Sequence, residues 1–525
     1  MPPARIAVLG GGLTGLSSAF HLSRRYPKAE IFLLDREAQL GGWVRSERVK
    51  LPISGASVVL EGGPRTLRPN SKSVLELVNL LKLEDKIITV SKSAPPARNR
   101  FLYIPKSDTF RFHGLTRLGL SISPLLLFMA GSLLLEPFKR RNREANLQDE
   151  SFDAFLTRRF NPTFARIFGS ALLHGIYASD SRKVSVRAAF PTLWNIEDRG
   201  KGSLVRGMLR NSLTPDAPKD TTSTDDEYQL GKVLEMMRDV SVYSFRDGMQ
   251  TLTKALEDHL QSTPNVSILK NAEVSRLNPL ENHSFEISHT GGESLRVTHV
   301  ASALPLPVLK HILGSGDQTS VSHLTANPIT SVNVVNLVFP CPPSQIHPEG
   351  FGYLIPRPSE GYSSAPSPGI LGVVFDSCSL HDQDIPRTDN YYKESSFTKL
   401  TIMTGGPYLS LPLPPHLSSS SSTGIPPFIC SLLDKLQIHL RGSSKGPIPN
   451  PIYWRIWQNR DCIPTLLPGH LQRIAEMQAG LKGKGQNDYW GGRLAVVGAG
   501  VGGVSMGDCV EAGRRVGRDW ADVGL

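Results

Sequence analysis

Cysteine is scarce, with five residues in a chain of 525, at Cys341, Cys378, Cys430, Cys462 and Cys509. No two stand at the close spacing of a zinc site or a dithiol redox centre, and the odd count does not suit a disulfide framework. Reduced thiols in an intracellular compartment are expected. The chain opens MPPARIAVLGGG, with no basic segment followed by an apolar stretch and a cleavage site. Secretion is therefore not expected, and no organelle presequence is legible. There is no internal repeat, no nucleophile paired with a histidine, no metal-ligand cluster and no phosphate-binding lysine motif. His113 and His174 stand as candidates for a general base. Acidic residues are outnumbered, 47 against 58 Lys and Arg. The excess is scattered except near Lys139 to Arg143, which suits an anionic substrate or membrane surface better than nucleic acid.

Long apolar runs are nearly absent as well. The longest, Leu118 to Leu135, is about 18 residues, at the lower limit for crossing a bilayer, and Ser121, Ser123, Pro124 and Ser132 interrupt it. With Arg111 and Arg117 before it and Lys139, Arg140, Arg141 and Arg143 after it, the run is expected to form a helical hairpin dipping into one leaflet. A buried helical pair is the alternative. Hydrophobic content of 39% and charged content of 20% are those of a globular chain, and the length implies two or three domains.

Near the N-terminus the pattern alternates strand, helix, strand: Ile6 to Leu9, Leu13 to Leu22, Ile31 to Leu34. Val74 to Leu83 reads as an amphipathic helix. Thr214 to Glu227 and Ser410 to Pro427 have loop composition and are expected to be mobile insertions. Strand-like runs at Val266 to Leu269, Thr330 to Phe339, Ile370 to Phe375 and Leu400 to Met403 suggest a second, mostly antiparallel sheet.

Between the first strand and helix lies GGGLTG (Gly10, Gly11, Gly12, Leu13, Thr14, Gly15), with Gly10, Gly12 and Gly15 on the GxGxxG spacing. The first glycine permits the turn, the second lets backbone approach a pyrophosphate, and the third lets helix and strand pack closely. Asp35, followed by Arg36, closes the second strand where a carboxylate accepts from a ribose hydroxyl, and it disfavours a 2′-phosphate. At the far end, strand Leu494 to Val497 runs into GAGVGGVSMGDCVEAGRRVG. Gly498, Gly500, Gly502 and Gly503 permit a second close backbone approach, and Val504, Ser505 and Met506 begin a helix expected to face the same ligand with its N-terminus.

The continuation DREAQLGGWVRS, with Gly42 and Trp43, resembles the FAD oxidases that include amine oxidases, phytoene desaturases and protoporphyrinogen oxidases. The stretches EGGPRTLRPN, NRFLYIP, HGIYASDSRKVSVRAAFPTLW, FRDGMQTL, GFGYLIP, LGVVFDS and TIMTGG resemble the protoporphyrinogen oxidase family in particular and spread over most of the chain. The resemblance implies non-covalent FAD, with Gly63, Pro64, Arg65 and Thr66 beside the flavin and Val274 at the adenine end. It makes Arg100 the partner of a substrate propionate, with Phe351, Gly352, Leu354 and Met403 lining a tetrapyrrole pocket. Animal members carry an arginine where this chain has His174, which either hydrogen-bonds a propionate or packs.

The expected fold is α/β plus α+β: a glutathione-reductase-like, Rossmann-type FAD-binding domain, a mixed or antiparallel substrate-domain sheet, and an inserted helical membrane-binding region. The flavin domain is expected at 1–95, 233–300 and 461–525, the helical region at 96–210, and the substrate domain at 301–460, with insertions at 211–232 and 408–428. The resemblance further implies oxidation of protoporphyrinogen IX by oxygen with formation of hydrogen peroxide, peripheral attachment to the mitochondrial inner membrane, a homodimer and contact with ferrochelatase. Two rivals stay open: another oxidase or desaturase of this fold, and a non-enzymatic binding protein like the GDP-dissociation inhibitors.

Overall fold

A computed structural model describes residues 4–523 apart from 53–55, 106–113, 119–123, 140–141, 145, 214–227, 281–283, 315–320, 364–366, 385–396, 409–412, 414–423, 442–445 and 483–489. Strand β1 (Arg5–Leu9), helix α1 (Leu13–Arg25) and strand β2 (Glu30–Leu34) form the expected opening unit. The last four residues of β1, Ile6 to Leu9, are buried without polar alternation, as in a strand covered on both faces. β1 lies in a five-stranded parallel sheet, ordered Leu494–Val496, His299–Ser302, β1, β2, Val266–Leu269. Three remote stretches of chain therefore meet in one sheet.

Val266–Leu269 corrects the expectation that it belongs to the antiparallel sheet. It follows helix Gln250–Gln261, and a helical crossover returns the chain parallel to β2. The strand His299–Ser302 runs through the expected boundary at residue 300, and Tyr453–Pro464 runs through the one at 461.

The second large sheet has seven strands, ordered Tyr453–Pro464, Ile329–Phe339, Thr398–Gly405, Ile370–Val374, Gly352–Leu354, Arg100–Ile104, Gly114–Leu118. It is mixed, because Gly352–Leu354 pairs in parallel with Arg100–Ile104 while the other neighbours are antiparallel. Alternation sends Val335, Leu337, Ile402 and Tyr353 to one face, where Ile429, Leu432 and Leu436 of helix Pro427–Leu440 cover them. On the other face Leu102, Ile104 and Leu354 meet Ile167 and Ala171 of the helical region.

The apolar run Leu118 to Leu135 is not a helical hairpin. Leu118 ends a strand paired to Arg100–Ile104, and Pro124–Leu135 is a single helix, with 119–123 outside the described residues. Among the described residues no helix is long and apolar enough to cross a membrane. Thr214 to Glu227 lies outside the described residues, as does most of Ser410 to Pro427.

The apolar helix is tied down at its C-terminal end by charge. Glu136, fully buried, accepts hydrogen bonds from Arg159, from Ser203 Oγ (2.6 Å), and from the backbone N–H of Leu204 (2.9 Å) and Val205 (3.1 Å) at the start of helix Leu204–Leu213. Glu197 gathers Arg158 (2.6 Å) and Arg143 (3.4 Å) beside it. Removing one partner of such a pair leaves a buried charge uncompensated. Glu136→Gln is expected to destabilise the protein by about 3 kcal/mol. Urea unfolding checks it, and a loss of less than about 1 kcal/mol would mean that water or neighbours take over the Arg159 charge.

Candidate active site

The GGGLTG turn is built by close backbone contact. Gly10 sits at φ +93°, and a Cβ on Gly15 would lie 1.7 Å from the Gly10 carbonyl oxygen, so only glycine allows α1 to approach β1 this closely. At Gly12, by contrast, a Cβ would meet nothing within 4 Å. No side chain caps α1 there, which leaves the first-turn N–H groups directed at open space. The Gly41–Gly42 extension folds back on this turn: Gly41 N–H donates to the Gly11 carbonyl (2.9 Å), and Gly12 pairs with Gly41.

Asp35 closes the same turn. Its carboxylate accepts from the N–H of Gly11 and of Glu37 (2.7 Å), and each oxygen keeps a lone pair for a ribose hydroxyl. Arg36 is exposed and pairs with Glu37 at 3.3 Å. Ala272 N–H donates to the Asp35 carbonyl (2.8 Å), which brings the strand beginning at Val274 alongside.

The C-terminal junction converges on this place. Gly498 has φ +118°, and a Cβ on it would lie 3.9 Å from Thr14 Oγ1. Helix Met506–Arg515 lies against α1, with Ser17 Oγ bonded to the Val510 carbonyl (2.9 Å) and Arg25 to that of Arg514 (2.8 Å). A Cβ on Gly513 would stand 2.6 Å from the Ser17 side chain. At the start of this helix Ser505 and Asp508 form a reciprocal capping box, which engages the Ser505 hydroxyl. Val504 and Met506 pack into apolar clusters, leaving their backbone for any contact with a ligand.

Between the two sheets runs Glu61 to Thr66. A Cβ on Gly62 would fall 2.6 Å from the Trp457 ring and one on Gly63 2.1 Å from the Trp43 carbonyl, so GG is demanded by a tryptophan on either side. Arg65 is buried and pairs with Asp376 at 3.5 Å, and Pro64 and Thr66 flank it half-buried. Glu61 accepts from Ser46 Oγ (2.6 Å), Met249 N–H (2.9 Å) and Gln383 Nε2 (3.2 Å). Burial pushes its carboxyl up to about 7, against the opposing effect of those bonds and of Arg65.

On the seven-stranded sheet the register aligns Trp457, Val334, Met403, Gly372, Leu354 and Leu102 in one cross-strand row. Cross-strand partners share a face, so this row is an apolar floor that starts at Gly62 and passes under the helical region. Gly352 and Arg100 project from the same face, two residues from Leu354 and Leu102 respectively. Gly352 is at φ +142°, where a Cβ would lie 2.1 Å from the Val373 carbonyl oxygen. The Arg100 guanidinium sits 5.1 Å from the centre of the Phe351 ring, a cation–π distance. Burial, with Arg68 nearby, makes its charged form less favourable than usual. Met403, Leu354, Phe351, Gly352 and Arg100 are thus brought together. Trp457, Val334 and Leu102 complete the row, and their part in it depends on register, which leaves no local signal in the sequence.

His174 packs. Its Nδ1 bonds the Ile355 carbonyl (2.7 Å), its Nε2 bonds the Tyr362 hydroxyl (2.9 Å), and burial lowers it to about 4. It is neutral and replaces no arginine charge. His113 lies outside the described residues. Because the folded-state value is below the ordinary 6.5, the stability tied to His174 is complete above 6.5 and falls as pH drops toward about 4. His174→Gln is expected to flatten the decline in Tm between about pH 6.5 and about pH 4, since each unit of this window costs roughly 1.4 kcal/mol for one buried neutral histidine. Equal slopes in a thermal melt series would mean the ring is charged in the native protein.

A family model described as flavin containing amine oxidoreductase matches residues 13–382. The protoporphyrinogen oxidase of Schizosaccharomyces pombe is 29% identical over 531 residues, covering 99% of each chain. That of Homo sapiens is 30% identical over 515 residues, covering 97% of each chain. A solved structure from Exiguobacterium sp. 255-15 shares the fold with a TM-score of 0.70, 18% identity and 98% of both chains covered. The chain therefore belongs to the flavin containing amine oxidoreductases and, among them, to the protoporphyrinogen oxidase family.

Proposed function

We propose that this protein oxidises protoporphyrinogen IX to protoporphyrin IX with oxygen as final acceptor, using non-covalently held FAD. The observation that carries the substrate side is Arg100. It is a half-buried cation with no carboxylate partner among the described residues, standing beside an apolar floor that begins at the Gly62–Trp457 contact. A flat apolar ring system with carboxylate arms needs that combination of wall and guanidinium.

The residues fit a dinucleotide, because the open space at Gly12 and the uncapped start of α1 offer N–H groups where a pyrophosphate would accept them. Gly10 to Gly15 and Asp35 would hold the adenosine diphosphate end, with Gly42 and Trp43 closing over it and Val274 at the adenine. Gly63 to Thr66, Gly498 and the backbone of Val504 to Met506 would hold the flavin end. The parallel sheet would then be a glutathione-reductase-like domain of Rossmann type. FAD, when bound, supplies the hydride acceptor and returns electrons to oxygen. The chain's own residues orient and enclose: Arg100 holds a propionate, Met403 and Leu354 support the ring, and the buried row excludes water. His174, neutral and fully bonded, takes no proton from substrate.

Leu134, Leu135 and Phe138 are 71%, 64% and 81% exposed at the end of the apolar helix. These exposed apolar side chains support peripheral attachment to a membrane, which the family resemblance assigns to the mitochondrial inner membrane.

The test is the visible spectrum of the purified protein, followed by porphyrin fluorescence after addition of protoporphyrinogen under air. Flavin bands and porphyrin formation above the spontaneous rate are expected. Arg100→Ala is expected to cut kcat/KM at least about tenfold while keeping the flavin, the loss for one charge-assisted carboxylate contact. Flavin bands without porphyrin would point to another oxidase of this fold, and a colourless protein would overturn the reading.

A further inference from the structure

The two strands that carry the substrate end of the floor meet at a short seam. Gly352–Leu354 pairs with Arg100–Ile104 through Tyr353 with Phe101 and Leu354 with Leu102, the shortest ladder of the seven-stranded sheet among the described residues and its one parallel pairing. Parallel pairing is slightly less stable per residue than antiparallel. Ahead of the ladder the seam is pinned, because Phe351 N–H donates to the Asn99 carbonyl (2.9 Å) and Asn99 Nδ2 to that of Glu349 (3.0 Å). Beyond it the strands turn to other neighbours: Ile355 N–H donates to the Leu371 carbonyl (3.1 Å), and Tyr103 pairs with Leu115.

What spans the seam at that end lies on the reverse face. Alternation turns Leu102 and Leu354 toward the floor and Tyr103 and Tyr353 away from it, under helix Pro427–Leu440. His439, near the C-terminal end of that helix, enters between the two tyrosines. Its Nδ1 hydrogen-bonds the Tyr353 hydroxyl (2.9 Å), and its ring centre lies 3.9 Å from that of Tyr103 at an interplanar angle of 34°. The tyrosine rings stand 6.4 Å apart, so the imidazole bridges them. Burial, with Lys435 one turn back, lowers His439 to about 3, and burial holds the Tyr353 hydroxyl protonated, so the bond joins two neutral groups. One side chain thereby grips both strands. The apolar contacts of Ile429, Leu432 and Leu436 cover this face, but a satisfied polar bridge is directional and specifies a single arrangement.

We propose that His439 is a positioning residue for the substrate side: by bridging Tyr103 and Tyr353 behind the sheet, it fixes Leu354 and Phe351 relative to Arg100 in front of it. The role rests on the function proposed above and adds to it a residue that acts through the strands from the far face.

Steady-state kinetics on protoporphyrinogen and flavin content are measured for wild type, His439→Phe, His439→Asn and Tyr353→Phe, each also in an Arg100→Ala background. His439→Phe keeps the ring against Tyr103 and Tyr353→Phe removes a single hydroxyl, so each breaks the bond while filling the same space. Both are expected to raise KM about tenfold, more than they lower kcat, with flavin content unchanged. His439→Asn, which keeps an acceptor near the Nδ1 position, is expected to recover part of the loss. In the Arg100→Ala background each is expected to cost less than about twofold further, because the group being aligned is gone. Equal fold losses in both backgrounds would mean a general loss of stability and overturn the role. Tyr353→Phe and His439→Phe with wild-type KM overturn it as well, and leave the parent reading standing. A wild-type protein that forms no porphyrin removes the parent reading and the positioning role with it.

Discussion

The buried crossing of Glu61 to Thr66 between two sheets is the constraint on which the rest of the structure depends. A loop in that position exposes carbonyls that water cannot reach, and each unsatisfied one would cost on the order of 1–3 kcal/mol. The seven-stranded sheet supplies the donors. Asn336 Nδ2 meets the Glu61 carbonyl at 3.3 Å, Asn459 Nδ2 meets that of Gly62 at 2.8 Å, and Trp457 Nε1 holds Asn336 in place at 2.8 Å. These polar residues interrupt otherwise apolar strands because the loop requires them. One set of hydrogen bonds thereby locks the dinucleotide side of the molecule to the substrate side.

That lock also gives the site its division of labour. Backbone dominates on the dinucleotide side, where Gly10, Gly12, Gly42 and Gly63 have no side chain to interpose and the turns can lie against each other. Side chains dominate on the other, where Met403, Leu354 and Leu102 share a face and the available charge is cationic. His174, which could have added charge, is instead held neutral by burial, which outweighs the opposing effect of its bond to the Ile355 carbonyl.

The βαβ opening was legible because its signals are local: an apolar strand, glycines at a fixed spacing, an acid closing the next strand. The apolar run Leu118 to Leu135 was misread as a hairpin because hydropathy alone does not reveal that Leu118 pairs with Arg100 in a strand. Val266–Leu269 was misallocated for a related reason. A short apolar strand looks the same in a parallel and an antiparallel sheet, and only its neighbour decides. The start of the C-terminal helix was legible as the βαβ opening was, because Ser505 and Asp508 stand three residues apart, the spacing of a capping box.

The sequence by itself determined the flavoprotein class, since glycine spacing, Asp35 and the GGW extension act through backbone geometry that is set within a few residues. It also named Arg100 and the floor residues through family resemblance. Tertiary structure alone decided that Trp457, Val334 and Leu102 complete that floor and that His174 is uncharged. Strand register and burial are properties of segments far apart in the chain, and no local pattern encodes them.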